Sequence, residues 1–364
     1  MTEREREIYE IIKKSPAIEQ SEIASILGIT RSSVAVHIAN LQKKGYIMGK
    51  QYIINAEPYV VGIGAANIDI CGKCDAPVIM HDSNPALIQM SPGGVTRNMC
   101  ENLARMDVDV RLIAAVGDDV YGEKIRTSCA EVGIDTSAFL TVKGQPSSSY
   151  ISMLDSDGEM VVSLCDMSIV DCYSSEFIRS KASLINGAKL VATDSCLPVD
   201  IMEAVLDTAR VPVFFDPVSV GRAKTMIDLV GRFDTIKPNR MEAEVLSGVK
   251  ITDERSLELA CDKLIEKGVR RVIVSLGAKG CFYKDRDGNR MSRSLRPLEH
   301  MVNANGAGDT FMAAIIRKTL DGASIEETLD FALAAGIMAV QSQRTINPDI
   351  SVLNIEKTRK EYEK

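Results

Sequence analysis

The chain has 364 residues, of which 45% are hydrophobic and 26% are charged, and its formal net charge is −7. These values predict a globular protein of two or three domains, or of one large α/β domain and a small module, and they exclude a disordered chain. No apolar run reaches about 18 residues and the N-terminus is charged where a signal peptide is apolar, so we expect a cytoplasmic protein without a membrane span.

The first 56 residues predict three short helices followed by a hairpin. Isoleucines share one face of a helix over residues 3–14, a second helix runs from Ser21 to a stop at Gly28, and a third covers residues 31–44. Residues 46–54 alternate around a Met-Gly-Lys turn, as a two-stranded wing would. This order of elements resembles the winged helix-turn-helix of many bacterial regulators.

The resemblance makes the third helix a recognition helix. Its exposed side is then expected to carry short polar and basic side chains that can reach base edges or phosphates; these are Arg31, Ser32, Ser33 and His37. The segment is nearly neutral, however, whereas DNA-binding modules usually carry a basic excess. A small helical interaction module therefore remains the alternative to DNA binding.

A different pattern begins at Pro58. Residues 60–70 predict an apolar strand in which Asn67 and Asp69, two positions apart, lie on one face. Gly62 and Gly64 do not form a dinucleotide-binding motif, because Asn67 occupies the third glycine position and no helix opens there. A second glycine site, Gly93-Gly94, leads through Asn98 into a helix that reaches Met106.

The remaining chain alternates short apolar strands with amphipathic helices, which predicts a doubly wound, mostly parallel sheet with helices on both faces. One stretch differs, since residues 147–164 read as an antiparallel hairpin that turns at Asp157-Gly158. The predicted strands cover residues 111–116, 190–193, 213–216, 235–237 and 272–276, and the predicted helices cover residues 121–132, 200–209, 242–246 and 254–267.

Polar groups follow two of these strands, where the ligands of open α/β sheets bind. Asn239 and Glu242 share one side of a first helical turn, so Glu242 is a candidate to hold Mg²⁺ beside phosphates; helix capping is the alternative. Ser275, Gly277 and Gly280 end another strand in a turn that a nucleotide could approach closely. A plain turn is equally consistent with those residues.

The most informative stretch is Asn303-Ala304-Asn305-Gly306-Ala307-Gly308-Asp309. Two glycines around an alanine permit a tight bend, and a following helix would direct its free amides at that bend. Such an end binds phosphate, and Asp309 could accept the proton of an attacking hydroxyl. Taken alone, the stretch could equally be a glycine-rich turn with an aspartate cap.

Together these motifs resemble the ribokinase-like family of carbohydrate and nucleoside kinases, and the resemblance spans about residues 58–345. It implies an α/β ribokinase-like fold in which Asp309 is the catalytic base and the amides of Gly306, Ala307 and Gly308 form an anion hole. It further implies that Asn239 and Glu242 organise Mg²⁺ and phosphates and that Ser275, Gly277 and Gly280 bind ATP. The implied substrate contacts are Asn67, Asp69, Gly93, Gly94 and Asn98.

The resemblance also implies a β-lid, formed by residues of about 68–92 and 146–166, which covers the substrate and mediates a homodimer. The expected domains are accordingly a winged helix-turn-helix over residues 1–56 and a kinase over residues 57–364. One departure is that Asn303 and Ala304 stand where the family usually has Asp-Thr, which removes one charge near the site. Rate or cation use could differ as a result, and a monovalent cation joins ATP and Mg²⁺ as a candidate cofactor.

The residues around Gly93, Lys237 and Asn303 look most like the pseudouridine kinase branch of this family. The expected function is therefore ATP-dependent phosphorylation of the 5′-hydroxyl of a nucleoside, pseudouridine first. One alternative is a ribokinase, a fructokinase or another nucleoside kinase. The other is a transcription regulator that keeps the kinase fold as a ligand sensor and binds DNA through residues 1–56.

Overall fold

The computed structural model of the chain describes residues 1–16, 18–48, 58–296, 298 and 300–363. Its N-terminal unit consists of helices α1 (Glu3–Lys14), α2 (Gln20–Leu27) and α3 (Arg31–Lys43), which agree closely with the prediction. They enclose a small apolar core of their own, around Ile8, Ile12, Ile23, Val34, Ile38, Leu41 and Ile47. Most of the predicted wing, and the boundary at residues 56 and 57, lie outside the described residues.

Fourteen strands lie in the described part that follows Pro58. In chain order they are β1 (Tyr59–Ile63), β2 (Asn67–Cys74), β3 (Ala86–Gly93), β4 (Asp109–Ile113), β5 (Ala115–Gly117), β6 (Leu140–Val142), β7 (Ser149–Leu154), β8 (Met160–Asp166), β9 (Leu190–Asp194), β10 (Val213–Asp216), β11 (Thr235–Ile236), β12 (Arg271–Ser275), β13 (Cys281–Asp285) and β14 (Arg290–Arg293).

Helices connect most of these strands. In chain order they are α4 (Val95–Arg105), α5 (Val120–Glu131), α6 (Ser175–Ser180), α7 (Ala182–Gly187), α8 (Val199–Thr208), α9 (Val220–Thr225), α10 (Arg240–Ser247), α11 (Glu254–Glu266), α12 (Ala307–Leu320), α13 (Ile325–Val340) and α14 (Val352–Tyr362). None of the described helices has the length and apolar character that crossing a bilayer requires.

The main sheet has eight strands in the order β14-β13-β12-β11-β10-β9-β1-β4. The six strands from β12 to β4 are parallel, and β13 and β14 are antiparallel, which confirms the prediction of a mostly parallel sheet. Alternate residues of β1 enter two different cores: Val61 packs in one and Val60 in the other. Helices α6 to α11 cover the first face, and α4, α5, α12, α13 and α14 cover the second.

Two predicted strands are wrong in extent. The strand predicted over residues 60–70 ends at Ile63, and the chain then enters β2 of a separate four-stranded sheet, β3-β2-β7-β8. The strand predicted over residues 111–116 likewise divides, with β4 in the main sheet and β5 paired to β6. Both strands divide at the same level of the main sheet, since Ile63 and Ile113 are the last pair in their register and one more hydrogen bond, from the Gly64 amide to the carbonyl of Ile113, ends the ladder. An apolar sequence alone does not reveal a change of sheet.

The four-stranded sheet corresponds to the expected lid. Its hairpin of β7 and β8 turns at Gly158, as predicted, and β2 supplies Asn67 and Asp69 at the end nearest the main sheet. Strand β3 runs antiparallel to β2 and leads directly into α4 through Gly93 and Gly94. The lid is therefore joined covalently to the helix that carries Asn98.

Candidate active site

Polar side chains meet at the carboxyl edge of the main sheet. Asp194 ends β9 and Asp216 ends β10, while Lys237 follows β11 and Ser275 ends β12. The edge also lies at the topological switch point, because the chain passes from β1 to β4 on one side and later to β9 on the other. Crevices at such points are where open α/β sheets bind ligands.

Asp309 lies in the first turn of α12, which faces this edge. Gly306 caps the helix with a positive φ of 77°, and a Cβ there would lie 2.0 Å from the carbonyl oxygen of Thr345, so only glycine fits. The alternative of an aspartate cap therefore does not hold, since the cap is Gly306 and Asp309 is the third helical residue. The amides of this first turn lack partners within the helix, as an anion site requires.

The carboxyl group of Asp309 is buried and accepts a hydrogen bond of 2.8 Å from Asn98 Nδ2. Burial raises its pKa to about 7, and the negative charges of Asp216 and Asp194 act in the same direction. The Asn98 hydrogen bond and the charge of Lys237 oppose this rise without cancelling it. A carboxyl group with a pKa near neutrality can take up a proton and release it again, as a general base must.

The glycine pair before α4 lets lid strand β2 approach the start of that helix closely. A Cβ on Gly93 would lie 2.3 Å from Asp69 Oδ2, and Gly94 has a φ of 101°. Asn67 Nδ2 donates a hydrogen bond of 2.6 Å to Asp69 Oδ1, which confirms that these two side chains share a face. Burial raises the pKa of Asp69, against the hydrogen bond from Asn67.

A buried ion pair, Lys237 with Asp216, lies between Asp309 and Glu242. Lys237 Nζ lies 3.0 Å from Asp216 Oδ2, and a Cβ on Gly308 would lie 3.4 Å from the same nitrogen. Burial disfavours the charged lysine, but the charges of Asp216, Glu242 and Asp309 outweigh that effect and raise its pKa. A fixed cation therefore stands beside the helix end that faces the site.

Glu242 and Asn239 form the capping arrangement that the sequence left open. Glu242 accepts hydrogen bonds from the backbone amide of Asn239 at 2.8 Å and from its Nδ2 at 2.7 Å, and Asn239 Oδ1 accepts from the Glu242 amide at 3.0 Å. Burial raises the pKa of Glu242, and the charge of Asp216 adds to the rise. The capped carboxylate nevertheless acts electrostatically on Lys237, so it lies within the same charged cluster.

Ser275 lies directly beside Asn239, because the two residues form a parallel β-bridge and Ser275 donates its amide to Pro238 at 3.0 Å. A tight turn follows, in which Gly277 and Gly280 have positive φ angles and the Leu276 amide bonds the carbonyl of Gly280 at 2.8 Å. The candidate nucleotide residues are thus brought together with Asn239 and Glu242 at one place on the sheet edge.

The departure at Asn303 and Ala304 lies on the approach to α12. Asn303 Oδ1 accepts the Asn305 amide at 2.9 Å, and its Nδ2 donates to the carbonyl of Gln343 at 3.2 Å. The Ala307 amide is 3.4 Å from the carbonyl oxygen of Ala304. The asparagine therefore shapes the loop through neutral hydrogen bonds.

Three charged residues of the cluster were not selected from the sequence: Asp194, Asp216 and Lys237. Each stands at the end of a short apolar strand, and strand position was the signal that could have revealed them. Asp194 holds the start of α4, because its Oδ2 accepts from the Thr96 amide at 2.9 Å and from Thr96 Oγ1 at 2.7 Å. The carboxylate of Asp216 forms the ion pair with Lys237.

The candidate DNA contacts all lie on α3, in the N-terminal unit. Arg31 and Ser32 are exposed, as predicted, and Ser33 is half-buried and donates its amide to the cap Thr30. The prediction of an exposed His37 is wrong, since its ring is half-buried and its Nδ1 is shielded without a hydrogen-bond partner among the described residues. It lies three positions after Val34 and four before Leu41, so it borders the face of α3 that packs in the small core.

Comparison with known proteins agrees with this geometry. Residues 57–351 match the family model described as pfkB family carbohydrate kinase, and residues 1–48 match a winged helix-turn-helix DNA-binding model. The chain is 33% identical over 355 residues to the uncharacterized sugar kinase YeiI of Escherichia coli K12, an alignment that covers 97% of this chain and 98% of that protein. Pseudouridine kinase of the same strain is 36% identical over 299 residues, or 82% and 95% of the two chains.

Among solved structures, a putative sugar kinase from Clostridium perfringens superposes with a TM-score of 0.75 at 31% identity, over 84% of this chain and 97% of that one. Ribokinase of Arabidopsis thaliana, solved with ribose and ATP, has a TM-score of 0.72 at 24% identity, over 83% and 99% of the two chains. This second likeness shows the ribokinase-like fold alone. The chain therefore belongs to the pfkB family of carbohydrate kinases and carries an N-terminal winged helix-turn-helix.

Proposed function

We propose that the protein transfers the γ-phosphoryl group of ATP to the 5′-hydroxyl of a nucleoside, with pseudouridine as the first candidate. Asp309 is the general base in this reaction. The observation that carries the proposal is its buried carboxyl group, with a pKa raised to about 7, in the first turn of a glycine-capped helix. A hydroxyl that approaches it loses its proton as its oxygen attacks the phosphorus atom.

The transferring phosphoryl group gains negative charge that must be stabilised. In the proposed arrangement the amides of Gly306, Ala307 and Gly308 donate hydrogen bonds to that group, and the cation of Lys237 stands beside them. Asn67, Asp69, Gly93, Gly94 and Asn98 contact the hydroxyls of the acceptor. The lid closes over the acceptor and excludes water, which would otherwise compete for the phosphoryl group.

Mg²⁺ would neutralise charge on the phosphates of the nucleotide. Within the described residues no three acidic, histidine or cysteine side chains form a ready metal cage. Mg²⁺ does not need one, because it usually keeps several waters and binds through one or two carboxylates together with substrate phosphates. Glu242 fits that role, since within the described residues each of its oxygens accepts one hydrogen bond, from Asn239, and so keeps a lone pair for the metal. Asn239, Ser275, Gly277 and Gly280 then bind the nucleotide.

The choice of substrate rests on the relatives. Pseudouridine kinase of Escherichia coli shares 36% identity over nearly its whole length, and YeiI, a second relative of comparable identity, is described only as an uncharacterized sugar kinase. A ribokinase, a fructokinase or another nucleoside kinase remains the alternative reading of the same machinery.

A phosphorylation screen tests the proposal. Purified protein is incubated with ATP and Mg²⁺ and with pseudouridine, uridine, guanosine, inosine, ribose or fructose in parallel, and ADP release and the phosphorylated product are both measured. We expect the highest kcat/KM with pseudouridine and a 5′-monophosphate as product. A higher kcat/KM with ribose or fructose would contradict the nucleoside assignment, and ADP release without a phosphorylated product would contradict the transferase assignment.

DNA binding is a second candidate function, and the match of residues 1–48 to a winged helix-turn-helix favours it. We keep the division into residues 1–56 and 57–364 as part of this proposal. A gel-retardation assay with DNA fragments from the native chromosome, with and without nucleoside, tests it. Loss of retardation in Arg31→Ala at unchanged kinase activity is the expected result, and retardation that is independent of Arg31 would contradict the assigned surface.

We also infer a homodimer formed through the lid. On the face opposite Asp69, strands β3, β7 and β8 carry a row of apolar side chains that are largely exposed in the single chain: Ile88, Met90, Ile151, Val162 and Leu164. We call this row the outer lid face. Exposed apolar patches of this kind mark interaction surfaces, and a second copy of the same chain offers the complementary patch.

A further inference from the structure

Arg97 is a fully buried arginine in the first turn of α4, next to the site but with no role in the reaction described above. Its side chain is 2% exposed. Nη1 donates to the carbonyl oxygen of Pro92 at 3.1 Å and to Asn98 Oδ1 at 3.0 Å, and the guanidinium forms an ion pair with Glu101. A buried charge is costly unless it is paired in this way, so a fully buried arginine at this position calls for an explanation.

The bond to Asn98 fixes which end of the Asn98 amide faces Asp309. A guanidinium only donates hydrogen bonds, so the atom of Asn98 that meets Arg97 must be the oxygen, Oδ1. The Nδ2 group is then left to face Asp309, to which it donates at 2.8 Å. Without Arg97 the amide could rotate by 180° and present its oxygen to the carboxylate, where two acceptors would repel each other.

We propose that Arg97 is a positioning residue, which holds the Asn98 amide in the orientation that donates to Asp309. The inference rests on the proposed role of Asp309 as general base. Arg97 also ties Pro92, at the end of lid strand β3, to the same amide. The guanidinium thus contacts the lid at Pro92 and helix α4 at Asn98, and through the Asn98 amide it acts on Asp309.

A lysine cannot replace this arginine. The planar guanidinium reaches Pro92, Asn98 and Glu101 together, whereas an ammonium is a single point at the end of a flexible chain. The Asn98 hydrogen bond favours the ionised form of Asp309, so its loss leaves that carboxyl group harder to ionise. The other groups that face Asp309 stay in place: Asp216 from β10, Asp194 from β9 and Lys237 from the segment after β11.

The experiment compares Arg97→Lys and Arg97→Met with the wild-type protein, using whichever acceptor the screen identifies. We expect kcat at pH 7 to fall roughly five- to tenfold, and the acid limb of the kcat–pH profile to move up by about one unit. The KM for ATP stays within about twofold, because the nucleotide residues are untouched. Arg105→Gln is the matched control, since Arg105 also pairs with Glu101, at 2.7 Å, but does not bond Asn98 in the described structure.

A double-mutant cycle separates positioning from packing. If Arg97 acts through Asn98, then Arg97→Lys has no further effect on kcat or on its pH profile in an Asn98→Ala background. Equal losses in both backgrounds would overturn the proposal. Unfolding of both Arg97 variants would also overturn it, in favour of a purely structural role, and so would an unshifted acid limb in a folded variant.

The two proposals fail in different ways. If pseudouridine is not the substrate, the wild-type protein fails in the acceptor screen, and the Arg97 comparison proceeds with the acceptor that is turned over. If no acceptor is turned over, Asp309 has no base role to support and both proposals fall. If the wild type is active and Arg97→Lys matches Arg105→Gln in every measurement, only the Arg97 inference fails.

Discussion

Asp309 is a carboxyl group in surroundings that oppose its charge. It is buried and two further acids, at the ends of β9 and β10, act on it, while the Asn98 amide and Lys237 favour its ionised form. Such surroundings raise the pKa toward the pH at which a general base works best. The same surroundings make the ionised side chain destabilise the folded protein. The charge state that a general base needs therefore lowers the stability of the fold.

Replacing Asp309 with asparagine keeps the size of the side chain but removes the proton acceptor. We expect Asp309→Asn to lower kcat by about 10²- to 10⁴-fold with little change in nucleotide affinity, because only the base is lost. Steady-state kinetics and calorimetric titration with an ATP analogue measure the two quantities. Asp321→Asn is a control on the same helix, at its exposed end. Near-normal turnover in Asp309→Asn would remove Asp309 from the mechanism.

The same variant is expected to be more stable than the wild type above neutral pH. Because the pKa of Asp309 rises from 3.8 to about 7 on folding, the folded protein holds a proton that the unfolded chain releases. The stabilisation of the folded protein by the protonated carboxyl group of Asp309 is complete below pH 3.8, and it is lost as the pH rises through 7. Asparagine does not titrate, so the stability of the variant relative to wild type increases between pH 3.8 and pH 7 and levels off above pH 7.

The shift of about three units sets a ceiling of about 4 kcal/mol on that gain. Thermal melts of wild type and Asp309→Asn at pH 5, 6, 7 and 8 measure it. The difference in Tm should grow from pH 5 to pH 8. A difference that is constant with pH would mean that the carboxyl group has an ordinary pKa in the folded protein.

At the scale of elements, α10 carries a side chain, Glu242, that closes a helix cap and that we propose as a ligand of Mg²⁺. Glu242 closes a capping box with Asn239, and it also acts on Lys237 within the charged cluster. Glutamine can close the same box but has no charge. We therefore expect Glu242→Gln to raise the Mg²⁺ concentration needed for half-maximal activity about tenfold or more, with Tm nearly unchanged.

Glu327 provides a matched control, because it closes the same kind of capping box with Ser324 at the start of α13, where Ser324 and Glu327 are both exposed. Glu327→Gln should leave the Mg²⁺ dependence as it is. Glu242→Ala removes the charge and the Glu242 half of the capping box, while Asn239 still caps the helix, so it should also lose up to about 1 kcal/mol of stability. An unchanged Mg²⁺ dependence in Glu242→Gln would leave Glu242 with the cap as its only role.

Much of the fold could be predicted from local patterns, and the failures share a cause. The alternation of apolar strands with amphipathic helices predicts the mostly parallel sheet. Glycines in the sequence predict the turns or caps at Gly94, Gly158 and Gly306. The divisions after Ile63 and Ile113 could not be predicted, because they depend on where neighbouring strands end. The roles of Asp216 and Arg97 could not be predicted for a similar reason. Asp216 pairs with Lys237, which follows a different strand. The proposed role of Arg97 depends on the hydrogen bond between Asn98 and the distant Asp309.

At the scale of the whole molecule, we propose that the lid binds the acceptor with one face of its sheet and a second copy of the chain with the other. The register places Asp69 level with Ser91 and Tyr150 on one face, and Ile151 level with Leu164 on the other. The first face carries the candidate polar contacts to the acceptor. The second is the outer lid face, and association there would hold the sheet in place over the acceptor.

We predict that Leu164→Lys converts the protein from a dimer to a monomer. Burying a leucine contributes about 1.5–3 kcal/mol, and a two-fold symmetric interface contains the residue twice, so association should weaken at least about a hundredfold. Sedimentation velocity over a range of concentrations measures this. Leu353→Lys is the matched control, because Leu353 on α14 is 64% exposed and Leu164 is 63% exposed.

The kinase assay on the same samples shows whether the dimer serves the site. If the outer lid face holds the lid over the acceptor, Leu164→Lys raises the KM for the acceptor and increases ATP hydrolysis without acceptor, because water then reaches the phosphoryl group. Leu353→Lys should change neither. A monomeric wild type, or a Leu164→Lys variant that remains dimeric, would show that the exposed apolar row has another partner.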